Sequence, residues 1–282
     1  MDIKAQAEKA EKLRKLHHGP RILALANAWD AVSARILEEV GHPAIATSSA
    51  AVAFSLGHPD GQRISRSEML DAVERMTRAV RIPVSADLES GYGKTPEEIA
   101  EFTKALVASG AVGLNFEDVT GDDEGSHVEL GLQVKKIRMI RETSAALGVP
   151  VVINARTDVY LMPIGPEATR FERTVERLRA YREAGADCLF APGVCDREII
   201  VKLVKALGAP LNILASQGCP SLDELEKMGV ARVSAGSAAM RAAMGAFRRV
   251  AEDWLVRGSY DSLTQVTIPY AELNSMMARK LY

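Results

Sequence analysis

The chain has 282 residues, with 35 Lys and Arg against 37 Asp and Glu, a formal net charge of -2 and 47% hydrophobic residues. This composition is globular, long enough to bury a sizeable core, and its near-neutral balance supplies no basic field for nucleic acid or an anionic membrane. No run reaches the length of a membrane span, the charged start carries no apolar signal segment, and three cysteines without metal-ligand spacing fit a reducing compartment. The expectation is a soluble, cytoplasmic protein.

The first twenty residues read as a helix that either plugs or packs on the body that follows. After them a short apolar run, a turn, a helical pattern and a glycine stop recur eight times. The runs are RILALANAWD, HPAIATSSA, IPVSADLESG, AVGLNFEDV, VPVVINARTDV, ADCLFAPGV, APLNILASQG and ARVSAGSAA. They lack polar alternation, as parallel strands covered on both faces do. The segments between them are amphipathic: Met69, Leu70, Val73, Met76 and Val80 share one helical face, as do Phe171, Val175, Leu178 and Tyr181. Gly41, Gly110, Gly148, Gly185, Gly208 and Gly229 each stop a helix before the next run. The pattern predicts an α/β fold, a (β/α)8 TIM barrel in a single domain over residues 1–258. The rival, an open doubly wound sheet, would ordinarily be shorter or carry a nucleotide loop, and neither G-x-G-x-x-G nor G-x-x-x-x-G-K-[ST] occurs. Residues 259–282 read as a connector and a short amphipathic helix, serving either assembly or packing on the same chain.

Catalytic groups of such barrels stand at the C-terminal ends of the strands. The first run ends in Asn27, Trp29 and Asp30, the second in Thr47, Ser48 and Ser49, and the third in Asp87 and Glu89 ahead of Gly91-Tyr92-Gly93. The fourth delivers Asn115, Glu117 and Asp118, and the fifth Asn154, Arg156 and Asp158. Spaced two apart, Asp87 and Glu89 are expected to share a strand face. Converging carboxylates repel unless positive charge sits among them, and oxygen-only donors suit a hard cation, Mg2+ or Mn2+. Pairing of these acids with Arg and Lys at a structural rim is the competing reading. Trp29 is expected to wall the pocket or simply to pack.

Absences narrow the chemistry. No lysine lies in the eight runs to form a Schiff base, no H-x-H or H-E-x-x-H points to zinc, and no G-x-S-x-G builds an esterase elbow. Of five histidines, His58 and His127 fall in loops from which a substrate could be reached, although a solvated loop role is the plainer one.

SADLESGYG resembles the D-x-[DE]-x-G-Y-G motif of the isocitrate lyase/phosphoenolpyruvate mutase superfamily, GLNFED resembles its acidic fourth-strand motif, and NARTD its fifth-strand arginine motif. The likeness runs from NAWDAVSARILEEVG to the eighth run and is strongest to short, oxaloacetate decarboxylase-like members. It implies Asp87 as a direct Mg2+ ligand, with Asp60, Glu89 and Glu117 acting mainly through waters. It also implies Ser49 and Ala50 as backbone donors to a substrate carboxylate, and Arg156 as a ligand of substrate oxygens. A last barrel helix swapped between paired subunits, in a homotetramer built as a dimer of dimers, follows from the same resemblance.

The departures bear on the reaction. The lyases acting on isocitrate and methylisocitrate carry Lys-Lys-Cys-Gly-His where this chain has VTGDDEGSHVEL, without cysteine or lysine. The phosphonomutase branch has lysine and asparagine in that loop; here Asp122, Asp123 and Glu124 would repel a phosphonate dianion. Cys219, after the seventh run, reads as a structural loop cysteine. The expected function is therefore Mg2+-dependent carbon–carbon cleavage of a small 2-oxo or 2-hydroxy carboxylate through an enolate, resembling oxaloacetate decarboxylation. Arg156 would stabilise charge, and Glu117, His127 or a metal-bound water would move protons. C–P chemistry on phosphonopyruvate is the alternative within enzymes, and a non-catalytic 2-oxo acid binding protein the alternative outside them.

Overall fold

A computed structural model describes residues 2–119, 126–162, 165–265 and 267–279. In chain order its first half contains α1 (Ile3–Leu16), β1 (Leu23–Leu25), β2 (Asn27–Ala28), α2 (Ala31–Val40), β3 (Ile45–Thr47), α3 (Ser49–Ser55), α4 (Arg66–Ala79), β4 (Val84–Asp87), α5 (Pro96–Ala108), β5 (Gly113–Phe116) and α6 (Leu130–Ala146). The second half contains β6 (Val152–Arg156), α7 (Arg170–Glu183), β7 (Cys188–Phe190), α8 (Arg197–Leu207), β8 (Leu211–Leu214), α9 (Leu222–Lys227), β9 (Arg232–Ser234), α10 (Ala238–Arg257), α11 (Asp261–Gln265) and α12 (Tyr270–Ala278).

All strand pairs are parallel, in the order β1-β9-β8-β7-β6-β5-β4-β3-β2. This is the (β/α)8 barrel, with one difference from the eight expected runs. The first run is two strand pieces: β1 pairs with β9 and β2 with β3, so the break between them lies where the ring closes. Asn27 explains the break. Its Oδ1 accepts the N–H groups of Ala235 (2.9 Å) and Gly236 (3.0 Å), and its Nδ2 donates to the Thr47 carbonyl at 2.6 Å. One side chain thus ties together the segments on either side of the seam.

The strands are buried almost throughout, as continuous apolar runs require, and the helices cover them with the faces read from the sequence: Met69, Val73 and Met76 on α4, Leu178 and Tyr181 on α7. The six stop glycines all adopt left-handed backbone, Gly41 and Gly208 as the helix caps themselves.

Helix α1 closes the N-terminal end of the barrel. Leu13 presses on Gly113, where an added Cβ would lie 2.8 Å from Leu13 Cδ2 and 3.1 Å from the Val152 carbonyl oxygen, so a larger residue at the start of β5 would push Leu13 aside. Gln6 Nε2 donates to the carbonyls of Val107 (2.8 Å) and Ala111 (3.0 Å), and Arg14 donates to Pro150 O (2.7 Å) and Asp187 Oδ1 (2.9 Å). Ala111, Pro150 and Asp187 all lie just before strands, so the helix is fastened to the end opposite the strand C-termini.

At the other terminus, α10 buries only Met240 and exposes Phe247, Trp254, Leu255 and Val256. Helix α12 returns to α2 of the same chain. Arg35 donates to the carbonyls of Met276 (2.7 Å) and Arg279 (3.0 Å), and Met276 is buried.

Because Leu13 is fully buried between helix and barrel floor, Leu13→Ala should lower unfolding stability by about 2–5 kcal/mol. Urea denaturation checks this; an unchanged midpoint would contradict the plug.

Candidate active site

Asp87 ends β4 and is fixed from three sides. Its Oδ2 accepts from the Ser49 backbone N–H (2.9 Å) and Ser49 Oγ (2.8 Å), and its Oδ1 accepts from Asn115 Nδ2 at 2.8 Å. Its own N–H donates to Thr47 Oγ1 at 2.8 Å. Asn115 Oδ1 accepts in turn from Asn154 Nδ2 at 2.9 Å, so a hydrogen-bonded row crosses β4, β5 and β6. The parallel register places Asp87, Asn115 and Asn154 side by side.

Arg156 ends β6 and is clamped by two acids. Asp158 takes Nε at 2.5 Å and Nη2 at 2.8 Å as a fork, and Glu117 Oε2 takes Nη1 at 2.9 Å. A guanidinium has five N–H bonds, so about two, one on each terminal nitrogen, stay free for a ligand. Behind this pair, fully buried Asp118 receives Tyr181 Oη (2.7 Å), Arg177 Nε (2.6 Å) and the Asp158 N–H (3.1 Å). The second row of contacts holds the residue that holds Arg156.

Between Asp87 and Arg156 lies a cavity of about 180 Å³, also lined by Ser49, Ala50, Asp60 and Arg232. It therefore gathers Ser49, Ala50, Asp60, Asp87 and Arg156 of the expected site. The others sit differently. Glu117 meets the cavity only through Arg156. Glu89 does not share a face with Asp87, because β4 has ended and Glu89 turns into left-handed backbone (φ 52°), where its Oε1 accepts from Tyr92 Oη at 3.2 Å. Trp29 does not line this cavity: its N–H donates to Ser33 Oγ at 3.0 Å, and its side chain borders a neighbouring groove with Ser55 and Leu56. His127 stands outside the cavity too, its Nε2 3.7 Å from Asp118 Oδ1 beside a bridge between Val119 and His127. His58 is exposed. Asp122, Asp123 and Glu124 lie outside the described residues.

A disulfide joins Cys195 and Cys219, correcting the expectation of reduced thiols; among the described residues Cys188 alone is free. The pairing follows from topology, since the two cysteines follow β7 and β8, which are neighbours in the barrel. A bridged Cys219 has no proton to offer to chemistry.

Sequence reasoning passed over Asp158 as the fork partner, Arg232 in the cavity wall, and Phe190, whose ring lies 5.8 Å from Arg156 Cζ. Only Asp158 left a signal, by standing two residues beyond Arg156 in NARTD.

The mouth carries more negative than positive charge. Burial pushes Glu89 up to about 7, with Asp87 and Asp60 adding repulsion. Desolvation raises Asp60, and Asp87 adds to it. Glu117 is raised well above the ordinary carboxylate range, by burial first; Arg156 opposes this, but Asp158, Asp87 and Glu89 work the other way. Among the described residues no three acids or histidines form a ready ion cage. The donor chemistry nonetheless fits a hard cation: Asp87 fronts the cavity with Asp60, the donors are oxygens, and the acids repel one another in the way an added positive charge relieves. Asp87 would hold such an ion directly with Asp60 beside it, whereas Glu89 and Glu117, implied by the resemblance as ligands through waters, do not line the cavity.

A parallel barrel with its ionisable side chains converging on one cavity at the strand C-termini has the build of a TIM-barrel enzyme for a small anion. The family model described as phosphoenolpyruvate phosphomutase matches residues 13–255. The chain belongs to that family, within the isocitrate lyase/phosphoenolpyruvate mutase superfamily. It is similar to a Burkholderia cenocepacia J2315 structure described as a candidate lyase/mutase, with 40% identity, 98% of each chain covered and a TM-score of 0.90. It is 28% identical to the oxaloacetate decarboxylase of Bradyrhizobium diazoefficiens over 71% of this chain and 69% of that one. It is also 28% identical to the 2-methylisocitrate lyase of Aeropyrum pernix, over 88% of this chain and 80% of that one. Among the described residues no helix is long and apolar enough to cross a membrane.

The Glu89 shift gives a signed pH prediction for the metal-free protein. Below pH 4.5, the ordinary value, Glu89 is neutral folded and unfolded, and burial costs nothing. Between 4.5 and about 7 the unfolded chain ionises while the folded one does not, so stability is lost as pH rises. Denaturation in EDTA should show wild type losing stability across this window relative to Glu89→Gln; parallel profiles would refute it.

Proposed function

We propose that this protein is a divalent-metal-dependent lyase that breaks a carbon–carbon bond in a small 2-oxo or 2-hydroxy carboxylate, with oxaloacetate the first candidate substrate. The observation that carries the reading is the facing pair at the cavity: Asp87, immobilised by Ser49 and Asn115, and Arg156, clamped by Asp158 and Glu117. Fixed charges of opposite sign on either side of a small cavity position an anion with an oxo group and stabilise charge that develops on it.

Mg2+ or Mn2+ held at Asp87 would supply Lewis-acid polarisation of the 2-oxo group. The remaining work falls to the chain. Ser49 and Asn115 keep the Asp87 oxygens in place, and Ala50 offers its backbone N–H to the substrate carboxylate. Ser49 is less free than the resemblance implies, since its N–H already serves Asp87. The spare N–H bonds of Arg156 meet the oxygen that gains charge as the bond breaks. Of the two expected proton carriers Glu117 stands nearer the cavity, one contact away through Arg156 and with its proton affinity raised by burial, while His127 belongs to Asp118.

The test is pyruvate release from oxaloacetate, phosphonopyruvate, methylisocitrate and substituted malates, with Mg2+ and with EDTA. EDTA-sensitive release from a C–C substrate is expected. Release from phosphonopyruvate alone would move the reading to C–P chemistry, and binding without turnover anywhere would make the protein a 2-oxo acid binder. Asp87→Ala should abolish the metal-dependent rate. Arg156→Lys, which loses the planar fork, should lower kcat/KM by about 100-fold; an unchanged value would remove Arg156 from the site.

The same proposal includes assembly. Phe247, Trp254 and Leu255 form an exposed apolar stretch on α10, which a second copy of the chain would cover. Sedimentation should find a homo-oligomer that Trp254→Glu weakens; a wild-type monomer would contradict it.

A further inference from the structure

One cation in the cavity wall takes no part in holding Asp87 or Arg156. Arg232, the first residue of β9, is 2% exposed, and its Nε and Nη1 are buried without a hydrogen-bond partner. It lines the same cavity as Asp87 and Arg156. So does Ser85, whose buried Oγ also lacks a partner. Two polar groups from strands well apart in the barrel order are thus left unsatisfied along one cavity.

A buried guanidinium without a counter-charge is among the costlier arrangements a fold can carry. Among the described residues no group pairs with its Nε or Nη1, and Asp87 supplies charge without a hydrogen bond to either. Cys188 is a neutral thiol, pushed up to about 12 by burial. His17 is pushed down to about 4 by burial, with the Arg232 charge adding, so it is neutral at pH 7. Asp87 is the facing carboxylate, yet its oxygens are engaged by Ser49 and Asn115. Arg156 differs in having Asp158 and Glu117 on its nitrogens.

We propose that Arg232 is a specificity-determining residue whose guanidinium receives a second anionic group of the substrate, a carboxylate distal to the end that reaches Asp87 and Arg156. The proposal rests on reading this cavity as a 2-oxo or 2-hydroxy acid site, and adds a second anion subsite on the β9 side. Such a group would satisfy the free N–H bonds and make the site select diacids over monoacids of the same core.

Lactate and malate share the 2-hydroxy acid core and differ by the second carboxylate. Calorimetry with Mg2+ should find malate binding wild type at least about tenfold more tightly than lactate. Arg232→Met should erase that preference while shifting lactate by less than about twofold, and Arg232→Lys should restore part of it. Equal affinities in wild type, or a preference that survives Arg232→Met, would overturn the proposal and leave the cavity reading standing. Binding of neither acid by wild type would overturn the cavity reading and the proposal with it. Stabilisation of wild type but not Arg232→Met by chloride or phosphate, with no gain of malate over lactate, would assign the guanidinium to an inorganic ion and likewise overturn it. Circular dichroism establishes folding; should Arg232→Met not fold, the wild-type ratio and Arg232→Lys decide.

Discussion

The mouth of this barrel is governed by an excess of buried carboxylate. Glu117 and Asp158 hold Arg156, Asp87 faces it, Glu89 lies buried beyond the end of β4 and Asp60 stands at the exposed edge, and burial with mutual repulsion drives Glu89 and Glu117 toward their protonated forms. Acids kept together against repulsion in a desolvated site are stored electrostatic potential, and a hard cation is the natural agent to relieve it. The remainder of the site follows from that condition. Arg156 is tethered by acids that would otherwise be unpaired, and Asp87 is held by neutral donors, so that its oxygens keep a fixed direction.

The barrel supplies the rigidity this needs. Parallel register sets Asp87, Asn115 and Asn154 in one hydrogen-bonded row, and α1 closes the opposite end through Leu13, Gln6 and Arg14. Asn27 ties the seam where the ring meets itself. Stability is thus concentrated at the floor and the seam, and chemistry at the rim, the division usual for this architecture.

Much of this was legible in the residues. Eight apolar runs separated by amphipathic stretches point to the barrel because both faces of each strand must be buried, and Asp87 and Arg156 stand out because each ends a run. The misreadings have local causes. The rule that residues two apart share a face stops where a strand stops, and Glu89 lies past the end of β4 in left-handed backbone. Trp29 follows the turn into α2 and leaves the cavity. The Cys195–Cys219 bridge depends on which strands are neighbours, which spacing along the chain does not encode. Arg232 sits in an apolar-looking run, and its burial becomes visible only when the ring is closed around it.

The central claim is that Asp87 anchors a hard cation beside a 2-oxo acid site. Electron paramagnetic resonance of Mn2+ titrated into the protein with oxalate, a non-reacting mimic of the oxo-acid end, tests it without reference to turnover. The account predicts one tightly bound Mn2+ per chain in wild type, and loss of that signal in Asp87→Asn with the fold intact. Free Mn2+ alone in wild type, or a bound signal that survives Asp87→Asn, would contradict it.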